Sequence, residues 1–109
     1  MLFSKGNHFT VFPLKVFWLP TNEQAVLQAG ISVSSRNFKK AVDRNRIKRL
    51  IREAYRLQKN QLQEQLVKEE KQLSLFIIFI GKDLPEYSAV FDNTGAIIKK
   101  LGRIIHGNH

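Results

Sequence analysis

The most apolar window of the chain, Leu73 to Ile80, reads LSLFIIFI and is closed by Gly81. Short, continuous, β-branched and aromatic, it predicts a buried strand. From Phe9 to Leu19, Leu14, Val16 and Trp18 fall on one face and Lys15 and Phe17 on the other, which predicts another strand; Pro13 confines its beginning to an edge or an irregular start. Pro20-Thr21-Asn22 predicts a turn, and Ala25 to Val33 a strand antiparallel to the one before it, completing a hairpin. The period then changes. Ile47, Leu50, Ile51 and Ala54 recur at the spacing of one helical face, predicting a helix from Asp43 to about Asn60. Leu62, Leu66, Val67, Glu69 and Glu70 let that helix run on, or restart, as far as Lys71. Lys82 to Glu86, with Pro85, predicts a loop. A last helix starts at Ser88 or Asp92 and ends at Leu101, with Val90, Ile97, Ile98 and Leu101 inward and Lys99 and Lys100 outward. Gly102 to His109 is expected to fray, and Met1 to Gly6 reads as the tail of a helix with Gly6 just past its end.

These elements predict one domain over residues 1–109, an α+β two-layer sandwich with the helices packed on one face of a central sheet; about four strands are expected in that sheet, one more than the three read above. A strand-helix-strand unit from Ala25 to Ile80 would ordinarily cross over right-handed. At 43% hydrophobic and 10% aromatic residues the chain can build a core. It has no cysteine, hence no disulfide, thiolate nucleophile or cysteine metal site, in keeping with a reducing cytoplasm. Its longest apolar run is far too short to span a bilayer, and the first residues do not have the make-up of a secretory signal.

Charge changes the picture most. The net charge is +9, and nine of the 18 basic residues (Arg36, Lys39, Lys40, Arg44, Arg46, Lys48, Arg49, Arg52 and Arg56) stand in one stretch against only Asp43 and Glu53. On the helix, Arg44, Lys48, Arg52 and Arg56 follow at i+4 with Arg49 beside them, a ridge that repels itself unless a polyanion lies along it. Asp43 suits the N-cap. Arg44 and Arg46 are cations in a first turn whose dipole disfavours them, so compensation is expected from outside the monomer. Asn45 between them is a weak helix former able to bond a phosphate, a sugar or a base edge. A solvated basic face is the plain alternative; the clustering along one helix favours nucleic acid.

Catalytic chemistry is hard to assemble. His8, His106 and His109 do not have the spacing of a metal site, and no glycine loop cradles a phosphate. Asp83, Glu86 and Asp92 could hold a hydrated Mg²⁺, though surface acids are the expected reading. Aromatic rings beside a basic ridge are a way of holding single-stranded nucleic acid. Phe3, Phe9, Phe12 and Phe17 are the candidates. Core packing is expected for Phe9, Phe12 and Trp18, whereas for Phe3 and Phe17 packing and stacking stand level, Phe17 being the sharpest because it faces away from Leu14, Val16 and Trp18.

The run Ala41-Val42-Asp43-Arg44-Asn45-Arg46-Ile47-Lys48-Arg49-Leu50-Ile51-Arg52 resembles the arginine-asparagine-arginine signature of the protein component of bacterial ribonuclease P. Gly30-Ile31-Ser32-Val33-Ser34 resembles the strand before that signature, and Leu2-Phe3-Ser4-Lys5-Gly6 the end of the family's first helix. The resemblance implies a left-handed crossover, a longer N-terminal helix that is largely missing here, and a cytoplasmic protein that is a monomer within the holoenzyme. It implies as partners the catalytic RNA and precursor tRNA, with no membrane, and Mg²⁺ held mainly by the RNA, which performs the hydrolysis. By the same resemblance Phe3 and Phe17 line a cleft for the tRNA leader, between the sheet face and the basic helix. Arg44, Asn45, Arg46, Lys48, Arg49, Arg52 and Arg56 would then face RNA, and Arg36, Lys39 and Lys40 would extend the phosphate surface. The loop Ser35 to Lys40 departs from the family in having no glycine. A ribosomal-protein-like general RNA-binding module is the alternative, and a stand-alone nuclease a third reading.

Overall fold

A computed structural model describes residues 7–21 and 26–107. The elements run β1 (Asn7–Val11), β2 (Leu14–Pro20), β3 (Leu27–Val33), α1 (Ala41–Lys68), β4 (Leu73–Phe79) and α2 (Tyr87–Gly107). The stretch read as one strand from Phe9 is therefore two, folded at Phe12-Pro13 so that Val11 sits opposite Leu14. Proline, which cannot donate to a ladder, stands in the turn. The expected helix tail at Met1 to Gly6 lies outside the described residues.

The four strands form one sheet in the order β1-β2-β4-β3. This corrects the predicted hairpin: β3 does not pair with β2, because β4 lies between them, antiparallel to β2 and parallel to β3. Leu73, Leu75, Ile77 and Phe79 of β4 are buried on one face, while Ser74, Phe76 and Ile78 are half-buried on the other. The buried positions of β4 meet Leu14 and Val16 of β2 and Val33 of β3 in one core with Ile47, Ile51, Ala54, Leu62 and Leu66 of α1 and Val90, Ile97, Ile98, Leu101 and Ile105 of α2. Both helices thus bury their apolar faces on the same side of the sheet, as an α+β two-layer packing requires.

Both helix boundaries differ from expectation. α1 begins at Ala41, with Lys40 extended at its N-cap and making no side-chain cap. Asp43 is in the first turn, where its charge favours the helix dipole without closing the end. At the other end Glu70 takes a left-handed φ of 56°, and the Lys71 N–H donates to Leu66 O at 2.9 Å, turning the chain back toward β4. α2 continues through the segment expected to fray, since Ile105 is buried and His106 reaches Glu69.

Two matched notches set the approach of the helices. A Cβ added at Gly95 would lie 2.7 Å from Gln58 Oε1, and one at Gly102 would lie 3.0 Å from Gln65 Oε1. Gln58 Nε2 donates to Phe91 O at 3.0 Å and Gln65 Nε2 to Gly102 O at 2.7 Å. Gly95 and Gly102 are seven residues apart, as are Gln58 and Gln65, about two turns of helix, so the side-chain amides repeat along the seam.

Candidate nucleic-acid interface

The cations of α1 wind round the helix. Each step of four residues advances about 400°, a drift of about 40° per step. Arg44 and Lys48 accordingly lie half-buried beside the apolar face, while Asn45, Arg46, Arg49, Arg52 and Arg56 are exposed. Among the described residues the ion pairs are Arg56–Glu53 at 2.7 Å, Lys71–Glu69 at 3.5 Å and His106–Glu69 at 3.3 Å. Arg56 is therefore held from two sides by Glu53, through Nη2 and through Nε at 3.2 Å, and that bond raises its pKa further. Arg46, Lys48, Arg49 and Arg52 have no carboxylate of the described fold to neutralise them. Arg46, a cation in the first turns, costs about 0.3–1 kcal/mol against the dipole.

Compensation for Arg44 is internal, contrary to the expectation of an outside partner. Its Nη1 donates to Phe38 O at 2.8 Å and to Lys39 O at 2.9 Å, in the loop just before the helix. In that loop Arg36, Lys39 and Lys40 are exposed. Two further residues hold it, neither of them predicted. Asn37 Nδ2 donates to Gly81 O at 3.1 Å and Ile80 O at 3.4 Å beyond the end of β4, and Phe38 is buried with its ring 5.9 Å from that of Phe79. An aromatic in a basic loop was a signal that could have marked the second; nothing in the sequence marked Asn37.

The sheet face turned away from the helices carries Lys15 and Phe17 of β2 beside Ile78 and Phe76 of β4. His8 stands opposite Phe17, their ring centroids 5.5 Å apart, and Lys15 Nζ lies 5.3 Å from the Phe17 centroid. Phe76 belongs to the same surface. A Cβ on Gly30 would come within 2.8 Å of its Cδ1, so the glycine lets that ring lie across β3. Phe17 is half-buried on this face, neither core nor fully exposed. Phe9 packs against the core with Lys100 Nζ 4.8 Å from its centroid, and Trp18 is likewise partly buried there. Phe12 departs from the core expectation: it is 71% exposed at the β1–β2 turn. Phe3 lies outside the described residues.

The apolar face of α1 packs on the opposite side of the sheet, and just beyond β3 and β4 Ser34, Ser35, Arg36, Asn37, Ile80 and Lys82 line a shallow recess. Asp83, Glu86 and Asp92 are exposed, and among the described residues no three carboxylate or imidazole groups gather as a metal site. No helix of the described residues is long and apolar enough to cross a membrane. Tyr55, under the cationic stretch, is buried, which pushes its phenol up to about 12.

A family model described as Ribonuclease P matches residues 1–102. The ribonuclease P protein component of Porphyromonas gingivalis is 35% identical over 91 residues, covering 82% of this chain and 66% of that protein. The one from Methylococcus capsulatus is 51% identical over 41 residues, covering 38% of this chain and 32% of that protein. The matched part thus spans just under two thirds of the length of the Porphyromonas relative. Among solved structures, the RNase P protein of Staphylococcus aureus is similar with a TM-score of 0.71 at 22% identity, covering 90% of this chain and 83% of that one. That of Thermotoga maritima gives 0.67 at 21%, covering 90% and 86%. At these identities the structures speak for a shared fold, and the family match speaks for kinship: the chain belongs to the Ribonuclease P family.

Proposed function

We propose that this chain is the protein subunit of the ribonuclease P ribonucleoprotein, binding the catalytic RNA and the 5′ leader of precursor tRNA and so promoting endonucleolytic 5′ maturation. The observation that carries this reading is the set of cations from Arg36 to Arg52 without carboxylate partners among the described residues. Such a surface is self-repelling in isolation and is relieved when phosphates bind along it and release their condensed counterions to solution. Asn45, exposed among Arg46, Arg49 and Arg52, adds a side chain that both donates and accepts. On the far side of the sheet, Phe17 with His8 and Lys15 offers a ring and cationic or polar edges to a single-stranded leader.

In this reading the RNA subunit holds the Mg²⁺ ions and breaks the phosphodiester, and no step runs through a protein-held metal. The protein lowers the repulsion between two RNAs and orients the leader, a positioning role. It acts in the cytoplasm, one copy per holoenzyme.

Reconstitution with bacterial catalytic RNA at low Mg²⁺ tests it. Added protein is expected to accelerate precursor-tRNA cleavage and to favour binding of precursor over mature tRNA; no acceleration overturns the reading. Equal affinity for the two tRNAs would instead indicate a general RNA-binding module. Phe17→Ala is expected to weaken precursor binding by about 1–3 kcal/mol with an unchanged salt dependence. A loss of folding would assign the ring to packing.

A further inference from the structure

We infer that Arg44 is a positioning residue: it holds the loop from Ser34 to Lys40 in a fixed shape, so that Arg36, Lys39 and Lys40 are preformed for phosphates, and makes no phosphate contact of its own. The inference rests on the RNA-binding reading above and assigns Arg44 a different part in it from its neighbours.

The geometry of the loop is the ground for it. Arg44 is half-buried, and one guanidinium nitrogen is shared by two consecutive carbonyls, Phe38 O at 2.8 Å and Lys39 O at 2.9 Å. A charged donor makes stronger hydrogen bonds than a neutral one, and here it meets carbonyls that a glycine-free loop would otherwise leave to water. The loop has two other anchors: Phe38, buried against Phe79, and Asn37, bonded to the carbonyls of Ile80 and Gly81. The Phe38 N–H also donates to Ser34 O at 3.2 Å. The three anchors follow directly on exposed Arg36 and stand beside exposed Lys39 and Lys40. Long cationic side chains on an ordered backbone have less freedom to lose on binding than the same side chains on a loose one. Arg49 and Arg52, by contrast, are exposed with no hydrogen bond to the backbone of the described residues, and their charge is free to meet phosphate directly.

The two roles separate in salt dependence. A residue touching a phosphate on a single strand contributes about 0.7 to the slope of log affinity against log salt, whereas a positioning residue changes affinity and leaves the slope alone. The experiment measures binding of a leader-bearing precursor tRNA, with catalytic RNA present, across a salt series, together with amide exchange of residues 36–40 in the free protein. Arg44→Ala is expected to weaken binding about tenfold at every salt concentration with the slope unchanged, and to speed loop exchange about tenfold. Arg49→Ala is expected to take about 0.7 off the slope and leave loop exchange as it was. Arg44→Lys keeps the charge but ends its side chain about one bond short of the position of Nη1, away from both carbonyls, and is expected to behave like Arg44→Ala. Asn37→Ala, which removes a different anchor, is expected to reproduce the effect, and the double variant to be less than additive.

A drop of one full contact in the slope of Arg44→Ala with unaltered loop exchange overturns the inference, as does rescue of affinity by lysine. If Arg44→Ala fails to fold, Asn37→Ala and Arg44→Lys decide by the same two readouts. Wild-type protein without salt-dependent binding overturns the RNA reading and this inference together, an outcome distinct from one in which the wild type binds steeply and Arg44 proves to be one more phosphate contact.

Discussion

From Ala41 to Arg56, α1 carries six basic residues around the face that joins the core, and of these only Arg56 has a carboxylate partner among the described residues. From Leu57 to Lys68 the same helix has Lys59, Glu64 and Lys68, and its polar groups turn inward to the fold: Gln58 and Gln65 bond the backbone of α2. Just beyond its end, Glu69 meets Gln65, Lys71 and His106. The first half is held by its apolar face and leaves Arg46, Lys48, Arg49 and Arg52 without carboxylate partners among the described residues; in the second half Gln58 and Gln65 bond within the monomer. A surface meant for a polyanion cannot carry its own counter-charges without competing with that partner. The second half of α1 uses Gln58 and Gln65 to fix the helix pair.

The severest way to break this comparison is to ask whether the halves fold as one. Ile51 and Leu66 are both fully buried, one in each half. Ile51→Ala and Leu66→Ala are each expected to cost about 2–5 kcal/mol in denaturant unfolding, through lost burial and the cavity left behind. Both should shift a single cooperative transition. A Leu66→Ala protein whose second half frays while β-sheet signals persist would show two units where the shared core describes one.

How much of this was legible in the chain can be judged from particular residues. The apolar faces of both helices were, because Ile47, Ile51 and Ala54 and then Val90, Ile97, Ile98 and Leu101 keep a helical period, and all are buried. The cationic stretch was legible from composition, and its fold family from the motif around Asn45. Strand order was not: LSLFIIFI is too uniformly apolar to reveal a half-buried face, and its insertion between β2 and β3 is a long-range pairing that no local pattern encodes. Asp43 resembled a cap because carboxylates favour both the N-cap and the first turn. Arg44 resembled its neighbours in sequence, and only the path of the preceding loop distinguishes it.

A milder test sharpens the description of the second half. In an open helix Gly95→Ala would gain about 1 kcal/mol of helix propensity. Here the new Cβ meets Gln58 Oε1 at 2.7 Å, and Gln58 must leave Phe91 O and Ala54 O to make room. The gain and the lost bonds are each on the order of 1 kcal/mol, so Gly95→Ala is expected to be close to neutral in the wild type and stabilising by about 1 kcal/mol in a Gln58→Ala background. Thermal unfolding of the four proteins gives the coupling. RNA affinity and its salt slope should not move in any of them; a changed slope would extend the interface into the half described as self-satisfied.

The smallest expected effect concerns Glu69, where the second half ends. Burial pushes its carboxyl up, but hydrogen bonds from Gln65, His106 and Lys71 and the charge of Lys71 outweigh it, so its pKa lies below the ordinary 4.5. With the folded value below the unfolded one, ionised Glu69 stabilises the protein above pH 4.5, and that contribution disappears as pH falls through the lowered value. Lys71 Nζ also donates to Ile105 O at 2.8 Å, so the cluster ties the turn after α1 to the C-terminal end of α2, where a cation favours the helix dipole. Glu69→Gln is therefore expected to lower the melting temperature at neutral pH by less than either core substitution, because the cluster is partly exposed and screened. The gap from wild type should close as the pH is lowered past the carboxylate range. A gap that stays constant down to acid pH would mean that the side chain acts by packing, and the contrast between a charge-satisfied second half and a charge-exposed first half would then rest on Gln58 and Gln65 alone.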